Sequence, residues 1–517
     1  MADWLKNAVF YEIYPQTFND TNADGIGDFQ GIIEKLDYIK DMGYTDLWIN
    51  PCFKSPFYDA GYDVEDFYTV APRYGTNEDL KRLFGEAHKR GMHVLLDLVA
   101  GHTAVTCDWL KQSMQNEKNE YTDRYIWTES VWQHPNDIAD ISGWLRGFSP
   151  RNGSCALNYF TTQPALNYGF AEVTEPWMQP VDAEGPMATR EELVNIIKFW
   201  LKLGCDGFRV DMAFSLVKAD PDKVETTKLW KDVLGRVKTE FPDSAFIPEW
   251  GEVDKSLSAG FDMDFLMFVG PSNYNDLFRC DNPYFRQDGK GDARKFFEYF
   301  LSRREMTRDM GYMCFPAGNH DMARITHWLD ETELRLAYAF IFSMPCIPFM
   351  YNGDEIGMRY IDEMDSVEGA YERTGNRLPM QWDDTLNNGF SAATPDLLYI
   401  QPDPEANGNT VKAQMEDEGS LWNFIKNLIT LRKATPALQE STEFEMISGD
   451  EQVYPLVYIR YDDEKKILVS INPTDKEQSC KADVKLGEVM FEYNGKAKCS
   501  DGTLTVPPCS ASYIVIE

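Results

Sequence analysis

Three acids stand at the ends of three short apolar runs: Gly207-Phe208-Arg209-Val210-Asp211, Phe246-Ile247-Pro248-Glu249-Trp250 and Phe315-Pro316-Ala317-Gly318-Asn319-His320-Asp321. Each run reads as a buried strand that stops at a carboxylate. Such acids suit cleavage of a glycosidic bond, which needs a proton on the leaving oxygen and support for an oxocarbenium-like transition state. In the retaining form one carboxyl is acid/base and the other a nucleophile, roughly 5–5.5 Å apart. Asp211 lies two residues after Arg209, so both side chains face one side of the strand. The guanidinium should hold Asp211 ionised, as a nucleophile requires. Glu249 has apolar neighbours, Pro248 and Trp250, that should raise its pKa toward that of a general acid. His320 is expected as a neutral donor and Asp321 as a fixed carboxylate, together gripping sugar hydroxyls.

These acids meet only if their strands run parallel, so that the carboxyl ends share one face. Strand-like runs recur at residues 8–14, 46–50, 93–99, 207–211, 245–250, 261–265, 313–317 and 345–351. Helical patterns lie at 32–41, 77–89, 190–203, 223–240, 293–306, 332–342 and 420–433. This alternation predicts an α/β fold, a (β/α)8 TIM barrel, occupying residues 1–102 and 186–435. Residues 103–185 are rich in Trp, Asn, Gly and Pro and form an irregular insertion (domain B) after strand three, over the mouth of the site. Residues 436–517 hold short strands at 457–461, 467–471 and 512–516, with Asp462-Asp463 and Asn494-Gly495 as turns, and predict a small β-sandwich.

The chain has 517 residues, 43% hydrophobic and 14% aromatic, enough for a large core and more than one domain. Its 84 acidic against 50 basic residues give a net charge of −34. That surface repels nucleic acid and anionic membrane and suits a neutral partner such as a disaccharide or oligosaccharide. No apolar run reaches the roughly 20 residues of a spanning helix. The N-terminus lacks a basic and an apolar signal region. The ten cysteines include no C-x-x-C pair, so free thiols and a cytoplasmic location are expected. A monomer or small homo-oligomer is expected.

A second motif, Asp20-Thr21-Asn22-Ala23-Asp24-Gly25-Ile26-Gly27-Asp28, places oxygen ligands at alternate positions with a glycine for the turn, like the first half of an EF-hand loop. Gly31 stands where an EF-hand needs its bidentate glutamate, so it is not one.

The chain resembles the α-amylase family of glycoside hydrolases through nearly its whole length. Asp97-Leu98-Val99-Ala100-Gly101-His102, residues 207–211, Glu249, His320-Asp321 and Gln163-Pro164-Ala165-Leu166-Asn167 are similar to its signatures. The resemblance implies Asp211 as nucleophile with Arg209 as its partner, Glu249 as acid/base, Asp321 as the third catalytic acid, and His102 and His320 as substrate-binding residues. Asp59-Ala60-Gly61-Tyr62-Asp63 and the stretch from Arg373 to Asp384 resemble the oligo-1,6-glucosidase and α-glucosidase group. There Tyr62 would stack on the first sugar, and Arg377 would pair with Asp59 to close the pocket around a terminal glucose. In the same group the Asp20–Asp28 loop holds a structural calcium ion (magnesium is the alternative). The ligands would be the side chains of Asp20, Asn22, Asp24 and Asp28 and the carbonyl of Ile26.

Three positions depart from the pattern. Gly101 replaces an asparagine that binds an interdomain calcium in many α-amylases, so no second metal is expected. Ala165 replaces a usual aspartate, and Met212 a usual valine or smaller residue beside the nucleophile. Trp132 and Trp144 are possible sugar platforms, but more ordinary as packing residues, and His88, His93, His134 and His327 have no expected role. The implied activity is a retaining exo-acting α-glucosidase for short α-1,4 or α-1,6 glucosides. The alternative is a transglucosylase, isomerase or phosphorylase, trehalose synthase-like or sucrose-acting, using the same covalent intermediate.

Overall fold

The computed structural model describes residues 1–267, 270–369, 371–448 and 453–517, without the side chains of Tyr371 and Glu372. Eight parallel strands form one sheet: β1 (Phe10–Ile13), β2 (Asp46–Ile49), β3 (His93–Val99), β4 (Gly207–Asp211), β5 (Ala245–Pro248), β6 (Met263–Phe265), β7 (Tyr312–Pro316) and β8 (Ile347–Tyr351). The sheet order is β6-β7-β8-β1-β2-β3-β4-β5. The Asp262 N–H donates to the Phe246 carbonyl at 3.0 Å across the seam between β5 and β6, nearly closing the barrel. The eight expected strands are therefore all present. They are buried along almost their whole length, which is why they read as continuous apolar runs rather than alternating ones.

Helices follow the strands: α1 (Phe29–Met42), α2 (Asn77–Lys89), α3 (Glu184–Leu203), α4 (Val224–Glu240), α5 (Val253–Ser258), α6 (Arg294–Thr307), α7 (Glu331–Ser343) and α8 (Leu421–Ala434). Capping boxes start α2 at Thr76 and Asp79 and α7 at Asp330 and Glu333. The helix expected from residue 190 starts six residues earlier. Pro186 sits in its first turn, where a proline needs no amide proton, so the proline did not mark a break. The expected boundary at residue 185 thus falls just inside α3.

Register fixes the site. Asp97 of β3 lies opposite Arg209 of β4, and Val99 opposite Asp211. Gly207 opens β4 because a Cβ there would lie 1.8 Å from the Ala245 carbonyl oxygen of β5. At the other end of the pair the Glu249 N–H donates to the Val210 carbonyl at 2.8 Å, which sets Glu249 on the strand end next to that of Asp211.

The insertion after β3 carries a two-stranded hairpin (Gly143–Arg146 with Ser154–Leu157) and little other regular structure. Its Leu166 N–H donates to the Gly101 carbonyl at 3.0 Å, tying it to the barrel. After α8, antiparallel strands form a five-stranded and a three-stranded sheet enclosing a separate apolar cluster around Val457, Leu468, Leu504 and Ile514. All ten cysteines are free thiols. Among the described residues no helix is long and apolar enough to cross a membrane.

Candidate active site

A pocket of about 810 Å³ opens at the carboxyl ends of the strands. Asp211, Glu249 and Asp321 all line it, with Asp59, Tyr62, His102, Gln163, Met212 and Arg373. The three acids that ended separate apolar runs therefore do share one cavity.

Arg209 organises the floor. Its Nη1 lies 2.8 Å from Asp97 Oδ1 and 3.1 Å from Asp211 Oδ1, and its Nη2 lies 2.9 Å from Glu249 Oε2. The Met212 N–H donates to the same Glu249 oxygen at 3.1 Å. Met212 adopts φ 42°, ψ 42°, a left-handed conformation costly for a side-chain-bearing residue, which turns that N–H toward Glu249. Two expectations are corrected here. The contacts at the Glu249 carboxylate are a guanidinium and an amide rather than the apolar flank that Pro248 and Trp250 suggested. Nor does Arg209 act on Asp211 alone. Burial pushes its carboxyl well up, Arg209 pulls against it, and Glu249, Asp97 and Asp59 add to the push. The physical reason is number: several carboxylates crowd one shared cation.

Asp321 is the opposite case. Burial works upward, but His320, Arg373 and Arg377 outweigh it and hold Asp321 well below the usual carboxylate range. Arg373 Nη1 lies 2.7 Å and Arg377 Nη2 2.8 Å from Asp321 Oδ1. The expected Asp59–Arg377 bridge is replaced by another: Arg373 Nη2 lies 2.7 Å from Asp59 Oδ1. Arg377 is buried behind Asp321, where its Nε donates to the His320 carbonyl at 2.9 Å. Arg373 stands one helical turn earlier in the quoted stretch, and that proximity was the only sign of it in the sequence. Gln163, inside the fifth signature, completes the rim by donating to Asp59 Oδ2 at 2.8 Å. It links the insertion to the pocket without the aspartate that Ala165 replaces.

Tyr62 stacks on His320, with centroids 5.3 Å apart, and donates to Asp97 Oδ2 at 2.9 Å. His320 is not the neutral donor expected. Burial alone would lower its pKa, but Asp321 and Glu12 carry it up to about 9. His102 is neutral, because burial lowers it to about 4. It lies 2.8 Å from the Tyr62 carbonyl through Nε2, and Asn158 Nδ2 lies 3.1 Å from its Nδ1.

Asn158 also accepts from Lys218 Nζ at 2.7 Å, and the same nitrogen donates to the Ser215 carbonyl at 2.6 Å. The buried Lys218 side chain thus clips the insertion to the loop after β4. The outer wall is aromatic, made by Tyr159, Phe160, Phe214 and Tyr360. Neither tryptophan lines it: Trp132 is exposed, and Trp144 packs against Trp177 within the insertion.

The Asp20–Asp28 loop lies between β1 and α1. Asp20 accepts N–H groups from Asn22, Ala23 and Gly25 and the Ser391 hydroxyl; Asp24 accepts from Ile26 N–H. Asp28 caps α1 by accepting from Gly31 N–H at 2.7 Å. The donor set is all oxygen, as calcium prefers. As placed, however, the carboxylates serve the loop's own N–H groups. Among the described residues no group of three or more His, Cys, Asp or Glu could hold a metal ion.

A parallel barrel with strand-end carboxylates around an arginine is an arrangement that glycosidic-bond cleavage can use. The family described as "Alpha amylase, catalytic domain" matches residues 12–441, and the chain belongs to it. The chain is 31% identical to the oligo-1,6-glucosidase of Heyndrickxia coagulans, over 93% of this chain and 94% of that protein. It is 30% identical to the trehalose synthase/amylase TreS of Mycolicibacterium smegmatis, over 89% of this chain and 81% of that one. The trehalulose synthase MutB from Pseudomonas mesoacidophila superposes with a TM-score of 0.83 at 26% identity, over all of both chains.

Proposed function

We propose that the protein is a retaining, exo-acting α-glucosidase for short α-1,4 or α-1,6 glucosides. The observation that carries this is the single guanidinium of Arg209 bound to both Asp211 and Glu249 on the floor of a pocket whose rim is bridged by Asp59, Arg373 and Asp321. Sharing one guanidinium favours the short carboxylate separation of a retaining pair over the roughly 6.5–9.5 Å gap that holds an inverting enzyme's water. The bridged rim favours a chain end over the middle of a polymer.

In this mechanism Glu249 protonates the leaving oxygen while Asp211 attacks the anomeric carbon, forming a glucosyl ester. Positive charge developing on the sugar favours an ionised Asp211, which suits it to attack while Glu249 serves as the acid. Glu249 then takes a proton from water, which displaces Asp211. Ionised Asp321, fixed by two arginines, would hold sugar hydroxyls through both steps, with Tyr62 and His102 shaping the sugar's berth.

Transfer to a second sugar is the competing reading, supported by the aromatic outer wall and by relatives that are trehalose and trehalulose synthases. Phosphate fits poorly as an acceptor: four carboxylates line the pocket against Arg373, which already bridges Asp59 and Asp321. Incubation with maltose, isomaltose, sucrose and trehalose, with and without phosphate, separates these outcomes. Glucose released from none of them would refute the hydrolase reading.

For the Asp20–Asp28 loop we propose a structural calcium ion remote from the chemistry, supported by the donor set alone. A melting point unchanged between calcium and chelator would remove it. A cytoplasmic location is proposed on the ten free thiols.

A further inference from the structure

Glu12 does not line the pocket, yet it is fully buried in β1 directly behind it. Its Oε1 accepts from Asn50 Nδ2 at 3.0 Å, from the His320 backbone N–H at 3.3 Å, and faces His320 Nδ1 at 2.7 Å. On the other side of the ring, Nε2 lies 2.7 Å from Tyr62 Oη and 3.3 Å from Asp321 Oδ2. Tyr62 spends its own proton on Asp97, whose other oxygen takes Arg209. Tyr62 can therefore only accept from His320. Asn50 Nδ2 also lies 3.1 Å from Nδ1, but it donates to Glu12 Oε1, and the carboxylate at 2.7 Å is the nearer partner of that nitrogen. The nearest partner of each ring nitrogen is therefore an acceptor, so both carry hydrogen.

We infer that Glu12 is a positioning residue of this site, a buried counter-charge that keeps His320 doubly protonated, one N–H on Glu12 and the other on Tyr62 and Asp321. In the chain from Glu12 through His320, Tyr62 and Asp97 to Arg209 each donor and acceptor is then fixed: His320 donates to Glu12 and Tyr62, and Tyr62 and Arg209 both donate to Asp97. It ends at the two catalytic carboxylates. If His320 became neutral, one link would break: without the Nδ1 hydrogen the bond to Glu12 is lost, and without the Nε2 hydrogen Tyr62 loses its donor or turns its own proton away from Asp97. The floor under the sugar and the carboxylate above it are thus set from β1.

The groups facing His320 are Glu12 from β1, Asn50 after β2, Tyr62 and through it Asp97 of β3, Asp321 beside it, and Arg377 at its carbonyl. The effect of pH has a definite sign: charged His320 persists below about 9 and is lost above it. Burial pushes Glu12 itself up, while His320 and Asn50 draw it back.

Glu12→Gln keeps the shape and an acceptor oxygen but removes the charge. The alkaline limb of kcat/KM on p-nitrophenyl α-glucoside should move down by about one to two pH units, with activity near pH 6 within a few-fold of wild type. An unmoved limb overturns the inference. The activity readout rests on the α-glucosidase reading, so a second measurement does not use it. Proton NMR titration of the wild-type imidazoles, with the His320 signal identified by its loss in His320→Gln, should show His320 still charged at pH 8. A His320 that is neutral at pH 7 overturns the inference whether or not any glucoside is cleaved or Glu12→Gln folds.

Discussion

The floor and the rim of this pocket solve the same problem, holding carboxylates in place with arginines, by different means. The floor acids Asp97 and Asp211 sit on strands in register, and Glu249 follows β5 by one residue. Arg209 reaches all three from β4. The rim acids Asp59 and Asp321 sit on loops, bridged by Arg373 from a short helical turn (Tyr371–Asn376) more than 300 residues from Asp59. Strand register fixes positions by main-chain hydrogen bonds, so the floor can carry an excess of negative charge that raises Asp211. The rim is held by the ion pairs themselves, and its carboxylate Asp321 is driven down. The contrast teaches a division of labour. The floor is rigid and chemically primed, whereas the rim is a set of charge contacts that can be retuned for a different glucoside.

The largest effect should come from the floor. Asp211→Asn should lower kcat/KM by at least about a thousandfold with little change in melting point, measured with p-nitrophenyl α-glucoside. Arg209→Met should cost both activity and stability. It leaves Asp97 and Asp211, both buried, and the half-buried Glu249 without their cation, and breaking a buried pair costs about 3–5 kcal/mol, read from denaturant unfolding. A folded, near-normal Arg209→Met would break the comparison at its centre.

The rim should be gentler. Asp59→Asn or Arg373→Ala should cost about ten- to a hundredfold on disaccharides, mainly through KM, and should spare longer substrates that no longer meet a closed end. Arg377→Ala separates the two arginines. It should damage Asp321 and His320 positioning, and so kcat, on every substrate alike. Equal substrate profiles for the two variants would show that the rim bridge is not what Arg373 supplies.

The smallest effect is a slope. Burial lowers Lys218 to about 7. Between that value and the ordinary lysine range near 10.4, the unfolded chain binds the proton and the folded one does not, so this group makes stability rise with pH. Lys218→Met should flatten the dependence of unfolding free energy on pH across that window. A slope identical to wild type would show that Lys218 stays charged in the fold.

How legible each part was follows from the same division. The eight strands and their three acids could be read because buried parallel strands are continuous apolar runs, and a terminal carboxylate breaks such a run visibly. The pairing of Asp59 could not, because Arg373 and Arg377 are four residues apart and spacing does not say which one faces the pocket. The charge of His320 was hidden more deeply. Its counter-ion Glu12 lies 308 positions away, inside an apolar run where nothing marked it as more than a strand residue. The apolar flank of Glu249 misled because sequence neighbours on a strand point to opposite faces, and Arg209, which does face it, comes from the next strand.

The central claim is that Asp211 becomes covalently bonded to the sugar. Incubation of Glu249→Gln with 5-fluoro-α-glucosyl fluoride, followed by proteolysis and mass mapping, should find one glucosyl adduct, on the peptide carrying Asp211. An adduct on any other residue, or first-formed glucose of inverted anomeric configuration in the wild-type reaction, would contradict the account.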